Sequence, residues 1–175
     1  FTDRAGPVDT VPFGAFRREL AERIGLYDET LLTNEDYEFN VRLRQAGATI
    51  WLDPEICSVY FARPNLAALA QQYWRYGFWK ARMLRRYPGT VRWRQALPPL
   101  FVLSLFFWAA LALVLPVAGW IFVLELVIYG LIMLLVGIQQ GIKRRDPALI
   151  LGVPLAIVVM HISWGSAFLW SMIVR

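Results

Sequence analysis

Two small groups of side chains in this 175-residue sequence are of types that could do chemistry. Glu35 and Asp36 stand side by side in TNEDYEF, and Gln72 and Arg75 stand three apart in QQYWRYGFWK. A carboxylate at a helix start beside a cleft can take a proton from an attacking hydroxyl. A guanidinium offers phosphate oxygens a two-pronged, charge-assisted set of donors. The acidic pair also has a plainer use, because carboxylates in a first helical turn meet the positive end of the helix. Context has to decide between the two.

That context begins with the elements that would hold the acidic pair. Residues 13 to 25, FGAFRRELAERIG, predict a helix: Phe16, Leu20 and Ile24 recur every fourth position, Glu19 can pair with Arg23, and Gly25 suits the stop. In the segment after it, Thr33 and Asn34 predict an N-terminal cap, Glu35, Asp36 and Glu38 fill the first turn, and Gly47 marks the end. Tyr37, Phe39, Val41 and Leu43 alternate as in a strand, but signals at both ends agree on a helix, one buried on both sides. Residues 48 to 52, ATIWL, predict a short strand, closed by a turn at Asp53-Pro54.

Charge divides the chain. Positions 1 to 96 hold 14 of the 18 basic and 11 of the 13 acidic residues; beyond them stand only Glu125, Asp146, Lys143, Arg144, Arg145 and Arg175. The apolar share of 58% is therefore an average of a water-soluble half and a membrane-embedded half. Residues 99 to 115, 117 to 138 and 149 to 174 are apolar runs that approach or exceed the roughly 17–25 residues a helix needs to cross a hydrocarbon core. Three such runs in so short a stretch would need a far larger partner to bury them in water, which argues against a soluble bundle. Lys80, Arg82, Arg85, Arg86, Arg92 and Arg94 precede the first run, and Lys143, Arg144 and Arg145 separate the second from the third; the link at Pro116 has no cation. The positive-inside rule places residues 1 to 96 and the Lys143–Arg145 loop in the cytoplasm and leaves only Arg175 on the wrong side.

Glu125 and His161 lie within the runs, where polar groups are expensive. They are expected to satisfy each other, a serine such as Ser163, or a missing neighbouring helix; the alternative is a groove for a lipid-linked substrate. Cys57 is a single cysteine and cannot form an internal disulfide. The sequence starts at Phe1 without a signal-peptide pattern, so a true N-terminus is expected further upstream.

Residues 66 to 86 form a basic amphipathic pattern directly ahead of the first run. On a helical wheel Gln71, Gln72, Arg75, Trp79, Arg82 and Arg86 fall on one side, and Leu66, Leu69, Tyr73, Tyr76, Gly77, Met83 and Leu84 on the other. Such a helix should lie in the membrane interface, where its arginines could contact anionic lipid. That accounts for the aromatics, but not for Gln72 and Arg75 sharing the polar face.

Taken in order, Asn34-Glu35-Asp36 in a helix ending RLRQAG, then IWLDPE, then QYWRYGFWKARMLRRYP, then runs ending HISWG, resemble membrane-bound family-2 glycosyltransferases. The likeness is greatest to bacterial exopolysaccharide enzymes of the succinoglycan type and covers nearly the whole chain from Asp9. It implies an α/β fold, namely the C-terminal part of a GT-A catalytic domain over residues 1 to 64. An amphipathic interfacial helix with a basic linker would follow at 65 to 96, then an all-α membrane region of three helices at 97 to 175. It implies inverting transfer of a sugar from a nucleotide-sugar donor to a lipid-linked glycan acceptor, at the cytoplasmic face of a bacterial inner membrane.

By the same resemblance Asp36 would be the catalytic base with Glu35 beside it, and Gln72, Arg75 and Tyr76 would shape the acceptor site and hold the donor diphosphate. Tyr76 stands where the family carries tryptophan, which favours adding one sugar at a time over processive polymerisation. A divalent metal, magnesium or manganese, is expected, with ligands mainly outside this chain. Two rivals remain: a polyprenyl-phosphate sugar transferase, for which Asp36 would only orient the acceptor, and a non-catalytic membrane module that scaffolds an assembly. Three spans with two lone polar residues offer a transporter no evident pathway.

Overall fold

The computed structural model describes residues 4 to 11, 13 to 88 and 93 to 174. Arg92 and Arg175, two of the cations used to orient the chain, lie outside the described residues. The chain divides into two compact units, Phe1–Ala62 with Arg82–Thr90, and Arg63–Ala81 with Val91–Arg175.

In the first unit, strand β1 (Gly6–Val8) is followed by helices α1 (Arg18–Ile24) and α2 (Glu35–Gln45) and by strand β2 (Ile50–Leu52). The two strands pair antiparallel, with Gly6 opposite Leu52 and Val8 opposite Ile50. Ala21 of α1 meets Phe39 and Leu43 of α2 in a small core, with Leu20, Ile24 and Ala48 packed around it. The helix expected over residues 13 to 25 is shorter than its pattern. Phe13 takes a left-handed backbone (φ 53°) and Arg17 an extended one, so the first turn cannot start before Arg18. Phe16 is thereby released from the helical stripe and sets its ring against Tyr27 and Phe39, at centroid distances of 6.3 and 4.9 Å. The pair on α1 is Arg18–Glu22, at 2.6 Å and exposed, rather than Glu19–Arg23.

α2 is a helix despite its alternating pattern, and Phe39, Val41 and Leu43 are all buried. Its end is set by Gly47 at φ 83°: the Gly47 N–H donates to the Arg44 carbonyl and the Ala48 N–H to the Leu43 carbonyl, both at 3.0 Å. Among the described residues the only sheet is this pair of three-residue strands, so the expected α/β architecture is not visible.

The second unit is helical. Helix α3 (Leu66–Arg86) has the bounds its amphipathic pattern predicts, and its last five residues belong to the first unit. Helices α4 (Trp93–Ala112), α5 (Pro116–Arg144) and α6 (Leu149–Ile173) follow, each long and apolar enough to cross a membrane. α4 begins earlier than the apolar run it contains: Trp93, Arg94 and Gln95, expected in a linker, are already helical, and Pro98 and Pro99 sit inside the helix. Membrane helices tolerate such prolines because neighbouring groups satisfy the carbonyls left without an N–H donor. α5 opens with Pro116 in its first turn, where a missing N–H costs nothing, and ends at Arg145 in the left-handed region. At Gly137 the backbones of α5 and α6 come together so closely that a Cβ would stand 2.2 Å from the Ile150 carbonyl oxygen.

Glu125 is satisfied by a serine, as expected, but not by Ser163, and His161 pairs with a tyrosine in place of Glu125. The Ser104 hydroxyl of α4 donates to Glu125 of α5, and the Tyr129 hydroxyl of α5 is hydrogen-bonded to His161 Nδ1 of α6 at 3.0 Å. Phe101 of α4 stacks on the Tyr129 ring at 4.3 Å. Neither Ser163 nor a direct Glu125–His161 contact is involved in these bonds; the facing surfaces of the three helices, invisible in a linear pattern, choose the partners. The contacts fall near the middle of all three helices and fasten each to the next.

Candidate functional site

Three carboxylates occupy the first turn of α2, and their surroundings separate them. Asn34, ahead of the turn, is left-handed (φ 68°) and makes no side-chain cap, while the Thr33 hydroxyl donates to the Leu32 carbonyl at 2.7 Å. The expected Thr33–Asn34 capping is therefore replaced by backbone geometry that asparagine tolerates better than most residues. Asp36 is exposed, and its Oδ1 accepts the neighbouring Tyr37 N–H at 2.7 Å. That bond fixes one oxygen and leaves Oδ2 without a partner among the described residues. Glu35, half-buried beside it, has no side-chain partner among them either.

Glu38 is the opposite case. It is 1% exposed, and Arg42 grips it through both carboxylate oxygens, Nε to Oε1 at 2.6 Å and NH2 to Oε2 at 2.9 Å. Arg42 also donates to the carbonyls of Ile24 (2.9 Å), Gly25 (2.7 Å) and Leu26 (2.6 Å), stapling the α1–α2 connection to α2. The Tyr87 hydroxyl donates to Glu38 Oε1 at 2.8 Å. The hydrogen bonds to Glu38 hold the Arg42 guanidinium even more firmly protonated than usual, and burial followed by the bond to Glu38 pushes the Tyr87 phenol up. Nearby, the Thr30 hydroxyl, with a smaller contribution from Arg86, holds the Asp28 carboxyl below its ordinary range. Glu38 and Arg42 are thus consumed by structure, whereas Asp36 is exposed and keeps one oxygen without a partner among the described residues. The Glu38–Arg42 spacing could have been noticed in the sequence; the loop carbonyls and Tyr87 could not.

The second group lies along the start of α3. Pro64 precedes the helix, and Asn65 caps it by accepting the Ala68 N–H at 2.9 Å, a signal the sequence carried and the wheel did not use. Gln72 Nε2 donates to the Tyr76 hydroxyl at 2.7 Å. This puts Tyr76 with Gln72, one helical turn on, and corrects its assignment to the apolar side of the wheel. The side chain of Arg75 is exposed and forms no hydrogen bond or ion pair with another described residue. The structure therefore brings Glu35 together with Asp36 and Gln72 together with Tyr76, each within its own unit.

The buried side of α3 carries Gly77, Lys80, Ala81, Met83 and Leu84. At Gly77 the helix meets α6 backbone to backbone: a Cβ there would lie 2.2 Å from the Trp164 carbonyl oxygen. Gly77→Ala is expected to force the two helices apart at a cost of about 1–3 kcal/mol, the usual range for overpacking. A lowered thermal unfolding temperature of the intact protein in detergent checks this; an unchanged temperature would show that the helices separate freely.

No cluster of three His, Cys, Asp or Glu side chains exists among the described residues. They do not by themselves compose a metal centre.

With this geometry in place, two curated proteins prove homologous to the chain over most of its length. It is 33% identical over 152 residues to "Succinoglycan biosynthesis protein ExoA" of Rhizobium meliloti (strain 1021), covering 87% of this chain and 44% of the relative. It is 28% identical over 160 residues to the "Dolichyl N-acetyl-alpha-D-glucosaminyl phosphate 3-beta-D-2,3-diacetamido-2,3-dideoxy-beta-D-glucuronosyltransferase" of Methanococcus voltae, covering 90% of this chain and 46% of the relative. The chain spans less than half the length of either. No family model and no solved structure matches.

Proposed function

We propose that this chain is part of a membrane-bound glycosyltransferase that moves a sugar, with inversion, from a nucleotide-sugar donor to a lipid-linked glycan. The observation that carries the proposal is the homology along nearly the whole chain. One relative's name places it in succinoglycan biosynthesis, and the other's names a sugar transfer onto a dolichyl-linked sugar phosphate. The open Asp36 carboxylate supports it from the chemical side. In an in-line displacement the acceptor hydroxyl loses a proton as its oxygen bonds to the anomeric carbon, and Asp36 Oδ2 receives that proton while the nucleoside diphosphate leaves. Glu35 adds negative charge beside it. Gln72, Arg75 and Tyr76 bind phosphate, with Arg75 free to meet two oxygens at once.

The reaction belongs at the cytoplasmic face of the inner membrane. Lys143 and Arg144 in the last turn of α5, together with the cations of α3, support that orientation. The intact protein, assayed in membranes with labelled donor, is expected to elongate a lipid-linked oligosaccharide and not to load bare polyprenyl phosphate; the reverse product would install the polyprenyl-phosphate reading. Absence of any transfer would favour the scaffold. In the same assay Arg75→Ala should raise the donor KM about tenfold or more, the value of a charge-assisted contact. Unchanged kinetics would reduce α3 to a membrane anchor.

A further inference from the structure

We propose that Arg63 is a phosphate-binding residue that also orients Gln72, a role not visible in any motif. Arg63 lies ahead of the Pro64–Asn65 helix start, and its side chain runs along the first turns of α3 to reach Gln72, nine residues on, with Nε donating to Oε1 at 2.9 Å. Gln72 then uses both ends of its amide, the oxygen toward Arg63 and the nitrogen toward the Tyr76 hydroxyl at 2.7 Å. An amide on a surface helix can usually flip; this one is oriented from both sides.

Arg63 spends only Nε on that task. Its two terminal nitrogens, the planar fork that matches a pair of phosphate oxygens, have no partner among the described residues, and the side chain is exposed. Arg75 is likewise exposed and unpaired, three positions beyond Gln72. Nothing nearby in sequence can neutralise them, since no Asp or Glu occurs between Glu55 and Glu125. Two guanidinium groups unpaired among the described residues, on either side of an oriented amide and on a segment without carboxylates, are suited to an anion. The ligand class is a phosphoryl group. The diphosphate of a nucleotide and the headgroup of an anionic lipid share that chemistry. Assigning the diphosphate to Arg63 rests on the function proposed above; the phosphate chemistry does not.

The test uses the intact protein in two settings. In detergent it is titrated with inorganic pyrophosphate by calorimetry; in nanodiscs it is compared with and without phosphatidylglycerol by native mass spectrometry. Arg63→Ala is expected to weaken pyrophosphate binding about ten- to a hundredfold. Arg63→Lys should recover little, because an ammonium lacks the planar fork and has no separate nitrogen to hold Gln72 while it meets phosphate. A loss confined to phosphatidylglycerol retention would identify the lipid headgroup as the source and still uphold the phosphoryl site. Unchanged binding of both probes, or full recovery by lysine, would overturn the proposal. Should pyrophosphate binding fall in a protein that transfers no sugar to any acceptor, the site stands and the glycosyltransferase reading fails. The exposure of Arg63 predicts an unchanged unfolding temperature, so loss of binding will not reflect loss of fold.

Discussion

Asp36→Asn is expected to lower sugar transfer by about a hundred- to ten-thousandfold, the range a positioned general base contributes. The substitution removes the proton acceptor and little else. Asparagine retains an oxygen where Asp36 Oδ1 receives the Tyr37 N–H at 2.7 Å, so the first turn of α2 keeps its local bond. The side chain is exposed, so no core contact is lost. Glu35→Gln serves as the comparison: it removes a charge from the same turn and should cost far less, since Glu35 supports the proposed proton transfer without taking part in it. The assay is initial-rate transfer to a lipid-linked acceptor by membranes holding equal amounts of each variant. Full activity of Asp36→Asn would strip Asp36 of the base role and point to an acceptor phosphate that needs no deprotonation.

The second large effect concerns stability. Arg42→Met should destabilise the first unit by about 3–5 kcal/mol, because it leaves the Glu38 carboxylate buried without its cation. Glu38 is 1% exposed, and the Tyr87 hydroxyl at 2.8 Å remains as its neutral partner. The change also frees the carbonyls of Ile24, Gly25 and Leu26, so the α1–α2 connection loses its staple. Limited proteolysis of the intact protein should cut first in that connection. Adding Glu38→Gln to Arg42→Met should restore a good part of the loss, because a neutral amide is cheaper to bury than an unpaired charge. An Arg42→Met protein as protease-resistant as the parent would refute this account.

The helices were the most legible part of the sequence, and their details the least. α3 could be read to the residue, because a basic amphipathic period runs through it; Pro64–Asn65 at its start was a further signal left unused. α2 was legible from its ends although its interior alternates; Gly47 performs as read, but Asn34 contributes through its backbone and not its side chain. Asp36 was readable as a candidate through the motif, and the structure adds the physical contrast with buried Glu38, two residues away. Burial is a property of what surrounds a turn, and here it comes from α1, a loop and Tyr87. Arg63 could not be found at all: its link to Gln72 spans nine residues, a separation that belongs to no regular element. For Glu125 a serine partner was legible but not which serine, and the tyrosine that meets His161 was not, since the faces that meet between helices depend on their rotation. The sheet was the reverse case. ATIWL was read as a strand and three of its residues form one, but two paired strands do not make an α/β domain.

The bond between Ser104 and Glu125 bears on how the chain reaches its membrane. A polar side chain at the centre of a helix entering lipid alone costs on the order of 2.5–3.5 kcal/mol on insertion scales for charged residues. α5 carries such a residue, and its partner is on the helix synthesised just before it. α4 and α5 are thus suited to leave the translocation machinery as a hairpin, with one Glu125 oxygen already paired. α6 brings His161 afterwards to a Tyr129 hydroxyl that is waiting for it. The order of synthesis is also the order in which each polar group finds shelter.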